Sequence, residues 1–177
     1  MEAQHVPAAG GELWDLYDGR RRPLGKTHRR GLPLAPGEYH LVVEIWTVNR
    51  QGQILLTLRD PQKDAYPGLW EVTGGSALAG ETSRRAACRE LREETGLKAE
   101  EGELTLLYTS REPAVFRDIY LLRRDAPLES LTLQKGETAD ARWAAPEEFA
   151  RLLREGRSIP QFQGRLDFLL EKGLLRP

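Results

Sequence analysis

The chain has 177 residues, 40% hydrophobic and 30% charged, with a formal net charge of −1 and one cysteine. These figures fit a soluble globular protein with enough chain for a sizeable core: one domain over 12–177, after a flexible start at 1–11. Near-neutral charge argues against a nucleic-acid polymer as partner, and the lone Cys88 rules out an internal disulfide or a cysteine zinc site. No apolar run is long enough to span a membrane, and the start, MEAQHVPAAGG, lacks the pattern of a secretory leader, so a cytoplasmic protein is expected. Self-association into a homodimer is left open.

Glu12 to Tyr17 alternate apolar and polar residues, and Asp18-Gly19 offers a turn into a return strand over Pro23 to Thr27. A basic segment overlaps this hairpin: Arg20, Arg21, Arg22, Lys26, His28, Arg29 and Arg30. Such a run is commonly a solvated surface, but it can also funnel an anionic substrate inward in a salt-dependent way. Arg29, Arg30 and, further on, Arg59 are the candidate substrate-binding residues.

After a Pro/Gly linker, His40 to Val48 reads as the strongest strand, and its almost unbroken apolar run suits a central position in a sheet. Asn49 to Gly52 form a turn and Gln53 to Arg59 the partner strand. Asp60 to Gly68 is a loop with two prolines, and Trp70 to Thr73 a short strand leading into a glycine loop.

Residues Ser83 to Thr95 carry the most information. Read as a helix, this stretch places Glu90, Glu93 and Glu94 on one face, while Ala87, Cys88 and Leu91 form an apolar stripe for the core. Carboxylates crowded on one face repel one another unless a cation lies between them, and oxygen ligands suit Mg²⁺, with Mn²⁺ as its substitute. An acidic run alone is more often a solvated face. Here the flanks say otherwise. Gly74-Gly75 fit a close backbone approach, Thr82 or Ser83 can cap the helix start, and Gly96 sits where a left-handed residue would end it.

Beyond the helix, strands are expected at Leu104 to Ser110, Phe116 to Arg123 and Thr138 to Ala144. A helix begins at Pro146 and ends near Gly156, and a last amphipathic helix runs from about Gln161 to Lys172. Strands on either side of one helix, followed by two late helices, indicate an α/β fold with a mixed sheet.

The stretch from Gly75 to Leu97 resembles the signature box of the Nudix hydrolases. Gly75, Glu81, Arg89, Glu90, Leu91, Glu93, Glu94, Gly96 and Leu97 fill its fixed positions. The order of hairpin, long strand, PGLWEVTGG, box and ARWAAPEEF further resembles the branch related to isopentenyl-diphosphate isomerase. The resemblance implies a Nudix α/β/α sandwich with a mixed central sheet and an N-terminal hairpin. It implies a metal-dependent hydrolase that cleaves a diphosphate linkage in a nucleotide-type small molecule. Glu90, Glu93 and Glu94, with the Gly75 carbonyl, would hold the metal; Glu81 and Arg89 would orient that cluster. Glu93, Glu112 and Glu137 are the candidates for the general base.

Isomerase chemistry needs a cysteine directly before the box glycine and a histidine directly after it, where this chain has Gly74 and Ser76. A non-catalytic nucleotide-binding module, the other alternative, would usually have lost box carboxylates that are all present here. His40 and Trp70 are expected to be structural, Cys88 a small core residue, and the spacing of Pro113 from the box coincidental.

Overall fold

The computed structural model describes residues 11–175, so nearly all of the expected flexible start at 1–11 lies outside the described residues. Its strands are β1 (Leu13–Tyr17), β2 (Pro23–Arg29), β3 (His40–Val48), β4 (Ile54–Arg59), β5 (Trp70–Glu71), β6 (Thr73–Ser76), β7 (Thr105–Glu112), β8 (Val115–Arg123) and β9 (Thr138–Ala144). The α-helices are α1 (Ser83–Thr95), α2 (Pro146–Arg154) and α3 (Phe162–Glu171). None is long and apolar enough to cross a membrane.

β3 is the axis of the molecule. It pairs in parallel with β8 along its whole length, antiparallel with β6 over Val42 to Ile45, and meets β4 at Val48. β4 in turn carries β5 and β9, and β7 closes the other edge against β8. The sheet is mixed, as expected, and the hairpin β1–β2 is a separate antiparallel pair.

Alternation along β3 divides the core in two. Leu41, Val43 and Ile45 pack with Ala86, Ala87 and Leu91 of α1 on one face. Trp46 and Val48 pack with Phe149 and Leu152 of α2 and with Phe162, Leu166 and Leu169 of α3 on the other. The result is the α/β/α sandwich. A fully buried side chain such as Leu91 contributes about 1.5–3 kcal/mol to holding its layer in place. Ala86 rather than Cys88 completes the buried stripe of α1, and Cys88 is half-buried at its margin.

α1 begins and ends as expected. Thr82 caps it by accepting from Arg85 N–H, and Gly96 closes it at φ 76°. Other expectations need correction. The hairpin turn expected at Asp18-Gly19 extends over 18–22, where Asp18 accepts the N–H groups of Arg20 and Arg22, and its left-handed residue is Arg21. Arg21 is committed there because its guanidinium binds buried Asp118 on β8 at 2.7 and 2.5 Å. Ser83 and Thr109 donate to the same carboxylate, which ties the hairpin tip to the start of α1. Gly74-Gly75 lie in β6, not in a loop, and Trp70-Glu71 form a separate short strand.

His40 stacks on Trp14 with ring centroids 4.0 Å apart and planes 7° off parallel, and its Nδ1 is buried without a hydrogen bond. Burial, with the positive charges of Arg117, His28 and Arg30, pushes its pKa down to about 4 from the ordinary 6.5. The unfolded chain therefore binds the extra proton between those values, and stability present above pH 6.5 drains away as pH falls toward 4. Melting curves across that window should fall more steeply for wild type than for His40→Phe, which keeps the stack. Parallel curves would refute a buried neutral His40.

Candidate functional site

The site lies where β6, α1 and the start of β3 meet. Its geometry is set by two glycines with different jobs. A Cβ on Gly74 would stand 2.5 Å from the Val43 carbonyl oxygen, so this residue lets β6 lie against β3. A Cβ on Gly75 would stand 2.2 Å from Glu90 Oε1, so this one lets the backbone touch the carboxylate of α1.

Arg89 organises the acidic face. It donates through Nε and Nη2 to Glu81 at 2.8 and 2.9 Å, through Nη1 to Glu90 and Glu93 at 2.9 and 3.0 Å, and through Nη2 to Ser76 O at 2.9 Å. These bonds hold its own proton more firmly than usual and pull the Glu81 carboxyl below its ordinary range. Glu81 also accepts the N–H of Leu78 at 2.9 Å, which fixes the connection into the helix.

Glu94 is the buried member. One of its oxygens, Oε2, has no hydrogen-bond partner, and burial together with Glu71 and Glu90 drives its pKa well up. Burial raises Glu90 as well, against the pull of Arg89. Glu71 on β5 is pushed up to about 7 by burial despite a 2.8 Å bond from Arg59. Carboxylates are thus concentrated here with less positive charge than they need. Among the described residues, no three His, Cys, Asp or Glu side chains converge closely enough to hold a metal as they stand. Glu90 and Glu93 share one Arg89 nitrogen, leaving Glu90 Oε2 and Glu93 Oε1 outside those bonds.

Beside Gly74-Gly75 opens a cleft of 180 Å³, lined by Glu44, Arg59, Tyr66, Glu71, Arg117, Gln161 and Phe162 among others. A larger cavity of 540 Å³ lies at the opposite end of β3, among Arg50, Arg123, Arg124 and Asp125, away from every box residue. We take the smaller cleft as the candidate site, because Gly74 and Gly75 border it and the carboxylates of Glu44 and Glu71 line it.

The remaining expected residues are distributed as follows. Arg59 lines the cleft; Arg29 and Arg30 do not, and exposed Arg30 binds Glu12 at 2.7 Å on the hairpin. Glu137 is bonded to Lys63, whose charge is felt by Glu94. Glu112 is held by Arg117 through two 3.0 Å bonds and by Arg165 at 2.9 Å, which bring its pKa down to about 2 and make it a poor proton acceptor. Trp70 is core, with the Arg142 guanidinium 4.3 Å above its ring. Pro113 belongs to the tight β7–β8 turn, next to left-handed Ala114.

Sequence reading passed over Glu44, Glu71 and Lys63. Glu44 had a signal: it is the one charge inside HLVVEIWTV, and a charged residue in a buried strand needs a partner. That partner is Arg165 of α3, whose Nε stands 2.8 Å from Glu44 Oε2 but off the hydrogen-bonding direction.

Comparison with known proteins identifies the family and the fold. The family model described as the NUDIX domain matches residues 38–162. An uncharacterized Nudix hydrolase of Listeria monocytogenes is 41% identical over 152 residues, 85% of this chain and 90% of that protein. An isopentenyl-diphosphate Delta-isomerase of Paenarthrobacter aurescens is 28% identical over 151 residues, 80% of each chain. Among solved structures, DR0079 of Deinococcus radiodurans superposes with a TM-score of 0.69 at 26% identity, over 83% of this chain and 91% of that one. With the box, the sandwich and these relatives in agreement, the chain belongs to the Nudix hydrolase family, whose members hydrolyse nucleoside diphosphate derivatives.

Proposed function

We propose that the protein is a metal-dependent hydrolase that cleaves the diphosphate link of a nucleoside diphosphate joined to another group. Glu90, Glu93 and Glu94, with the Gly75 carbonyl, are the residues that would hold Mg²⁺ or Mn²⁺. The observation that carries this reading is the buried Glu94, with one oxygen unpartnered, next to Glu90 and Glu71. Hard oxygen donors in this concentration suit a small divalent cation, and the approach of Gly75 to Glu90 adds backbone to the same place. A divalent ion held there would neutralise the diphosphate and make water a better nucleophile at neutral pH.

The chain's own residues do the rest. Arg89, itself held by Glu81, restrains the rotamers of Glu90 and Glu93 on the acidic face. Arg59 and Arg117 line the cleft and set positive charge against the phosphoryl oxygens. In the reaction, a water oxygen forms the new bond to phosphorus, and the bridging oxygen leaves with the bonding pair. The water proton goes to a carboxylate. Glu112 is disqualified by its arginines and Glu137 is engaged by Lys63, which leaves Glu93 Oε1 to accept it. The box residues and the cleft they border make catalysis, rather than binding alone, the reading of choice.

A panel of nucleoside diphosphate derivatives, incubated with Mg²⁺ and followed by phosphate release after phosphatase coupling, tests this directly. Hydrolysis of at least one compound is expected, with activity abolished by excess chelator and restored by Mg²⁺ or Mn²⁺. Undiminished turnover in chelator would contradict the metal requirement.

A further inference from the structure

Among the described residues, three other than glycine have a left-handed backbone: Arg21, Ala114 and Tyr66. The first two are accounted for. Arg21 is held by its salt bridge to buried Asp118, and Ala114 is the small residue of a tight hairpin. Tyr66, at φ 52°, has neither excuse. The residue is 52% exposed and holds a backbone conformation that a bulky side chain rarely adopts. Gly68, also left-handed and with open space around it, sits two places on, so the loop does not lack residues suited to turning.

The loop is nonetheless firmly placed. Arg59 N–H donates to Leu69 O at 3.0 Å, Arg59 Nε donates to Ala65 O at 2.8 Å, and Lys63 N–H donates to Asp60 O at 3.0 Å. The same Arg59 guanidinium holds cleft carboxylate Glu71 through Nη1. One side chain therefore ties the backbone next to Tyr66 to Glu71 of the cleft, and Tyr66 is itself one of the residues that line that cleft. At 180 Å³ the cleft is smaller than the roughly 300–1,000 Å³ that encloses a whole ligand of drug size, so part of a nucleotide must extend past its walls.

We propose that Tyr66 is the platform on which the flat ring of the substrate's nucleoside stacks, making it a binding and specificity residue of the cleft. This rests on the diphosphate-hydrolase reading above. An exposed aromatic residue at the edge of the cleft gains its use when a second flat ring covers it. Stacking tolerates any base, because every base offers a π face, so discrimination between bases would lie elsewhere, for instance with exposed Gln161 in the same cleft.

The test is a calorimetric titration of wild type, Tyr66→Phe and Tyr66→Gly with ADP and with inorganic pyrophosphate, both in Mg²⁺, alongside thermal melts. ADP should bind wild type more tightly than pyrophosphate does. Tyr66→Gly should weaken ADP by about tenfold and leave pyrophosphate unchanged, while Tyr66→Phe stays close to wild type. Since glycine adopts the left-handed backbone freely, Tyr66→Gly should melt no lower than wild type. The proposal is overturned if wild type does not distinguish ADP from pyrophosphate. It is equally overturned if Tyr66→Gly weakens both ligands alike or neither, or if Tyr66→Phe is as weak as Tyr66→Gly. Failure of wild type to hydrolyse any nucleoside diphosphate derivative overturns the hydrolase reading instead, and is scored separately from these titrations.

Discussion

Replacing Glu94 with Gln should lower kcat by about 10²–10³-fold while leaving the protein as stable as wild type or more so. The two signs have one cause. Glu94 is buried beside Glu71 and Glu90, and its pKa rises on folding. An acid whose pKa rises on folding weakens the fold wherever the unfolded chain would be ionised, so a neutral isostere relieves that burden at pH 7. Each 1 kcal/mol regained would raise Tm by about 2–4 °C in a chain of this size. The same substitution removes the charge that the site is built to present to a cation. Glu81→Gln, in contrast, should cost activity more mildly, because Glu81 acts by holding Arg89. Steady-state kinetics and melts on both variants decide the matter. A Glu94→Gln enzyme with wild-type kcat, or two variants with equal losses, would remove Glu94 from the centre of the site.

Gly75→Ala should reduce kcat/KM by about 100-fold with only a modest loss of stability, whereas Gly74→Ala should chiefly destabilise. At Gly75 the new methyl meets the end of a side chain, Glu90 Oε1 at 2.2 Å, and a side chain can swing away. The fold survives, but Glu90 leaves the place where Arg89 and the strand had set it. At Gly74 the methyl meets backbone, Val43 O at 2.5 Å, and β6 can make room only by parting from β3. Measured kcat/KM and Tm for the pair should therefore move in opposite proportions. If Gly75→Ala is fully active, contact between strand and carboxylate has no catalytic importance.

Much of this was legible in the sequence, and the reasons differ from one element to the next. α1 was readable to the residue because its signals are local: Thr82 before it, Gly96 after it, and a stripe at helical spacing between. β3 announced itself by composition. The glycine strand β6 did not, because glycine has weak strand preference and Thr73–Ser76 is extended only through its pairing with β3, which is far away in sequence. The left-handed residue of the first turn had no local signal for a similar reason: Asp118 on β8, far away in sequence, anchors Arg21. In the candidate site, the box carboxylates were singled out by their helical spacing together with the flanking glycines, the helix caps and the resemblance to the Nudix box. Glu71, Lys63 and Tyr66 gather beside them only through the packing of β4, β5 and the loop between them, and no short-range pattern encodes that. Of the basic residues expected to meet substrate, Arg59 lines the cleft, and Arg29 and Arg30 stand outside its lining.

The parallel ladder between β3 and β8 has a consequence for how the molecule is made. Every residue of β3 from His40 to Val48 finds its β8 partner only after β4, β5, β6, α1 and β7 have been traversed. As the chain leaves the ribosome, β3 emerges early and must wait with one edge unpaired and its most apolar side chains uncovered. A parallel pairing of this span closes late, since the entropy of a long loop is lost before any of its contacts form. The interval between synthesis of Val48 and of Val115 is therefore when the nascent chain is most exposed to association with its neighbours or capture by a chaperone, and a stall within α1 would prolong that interval.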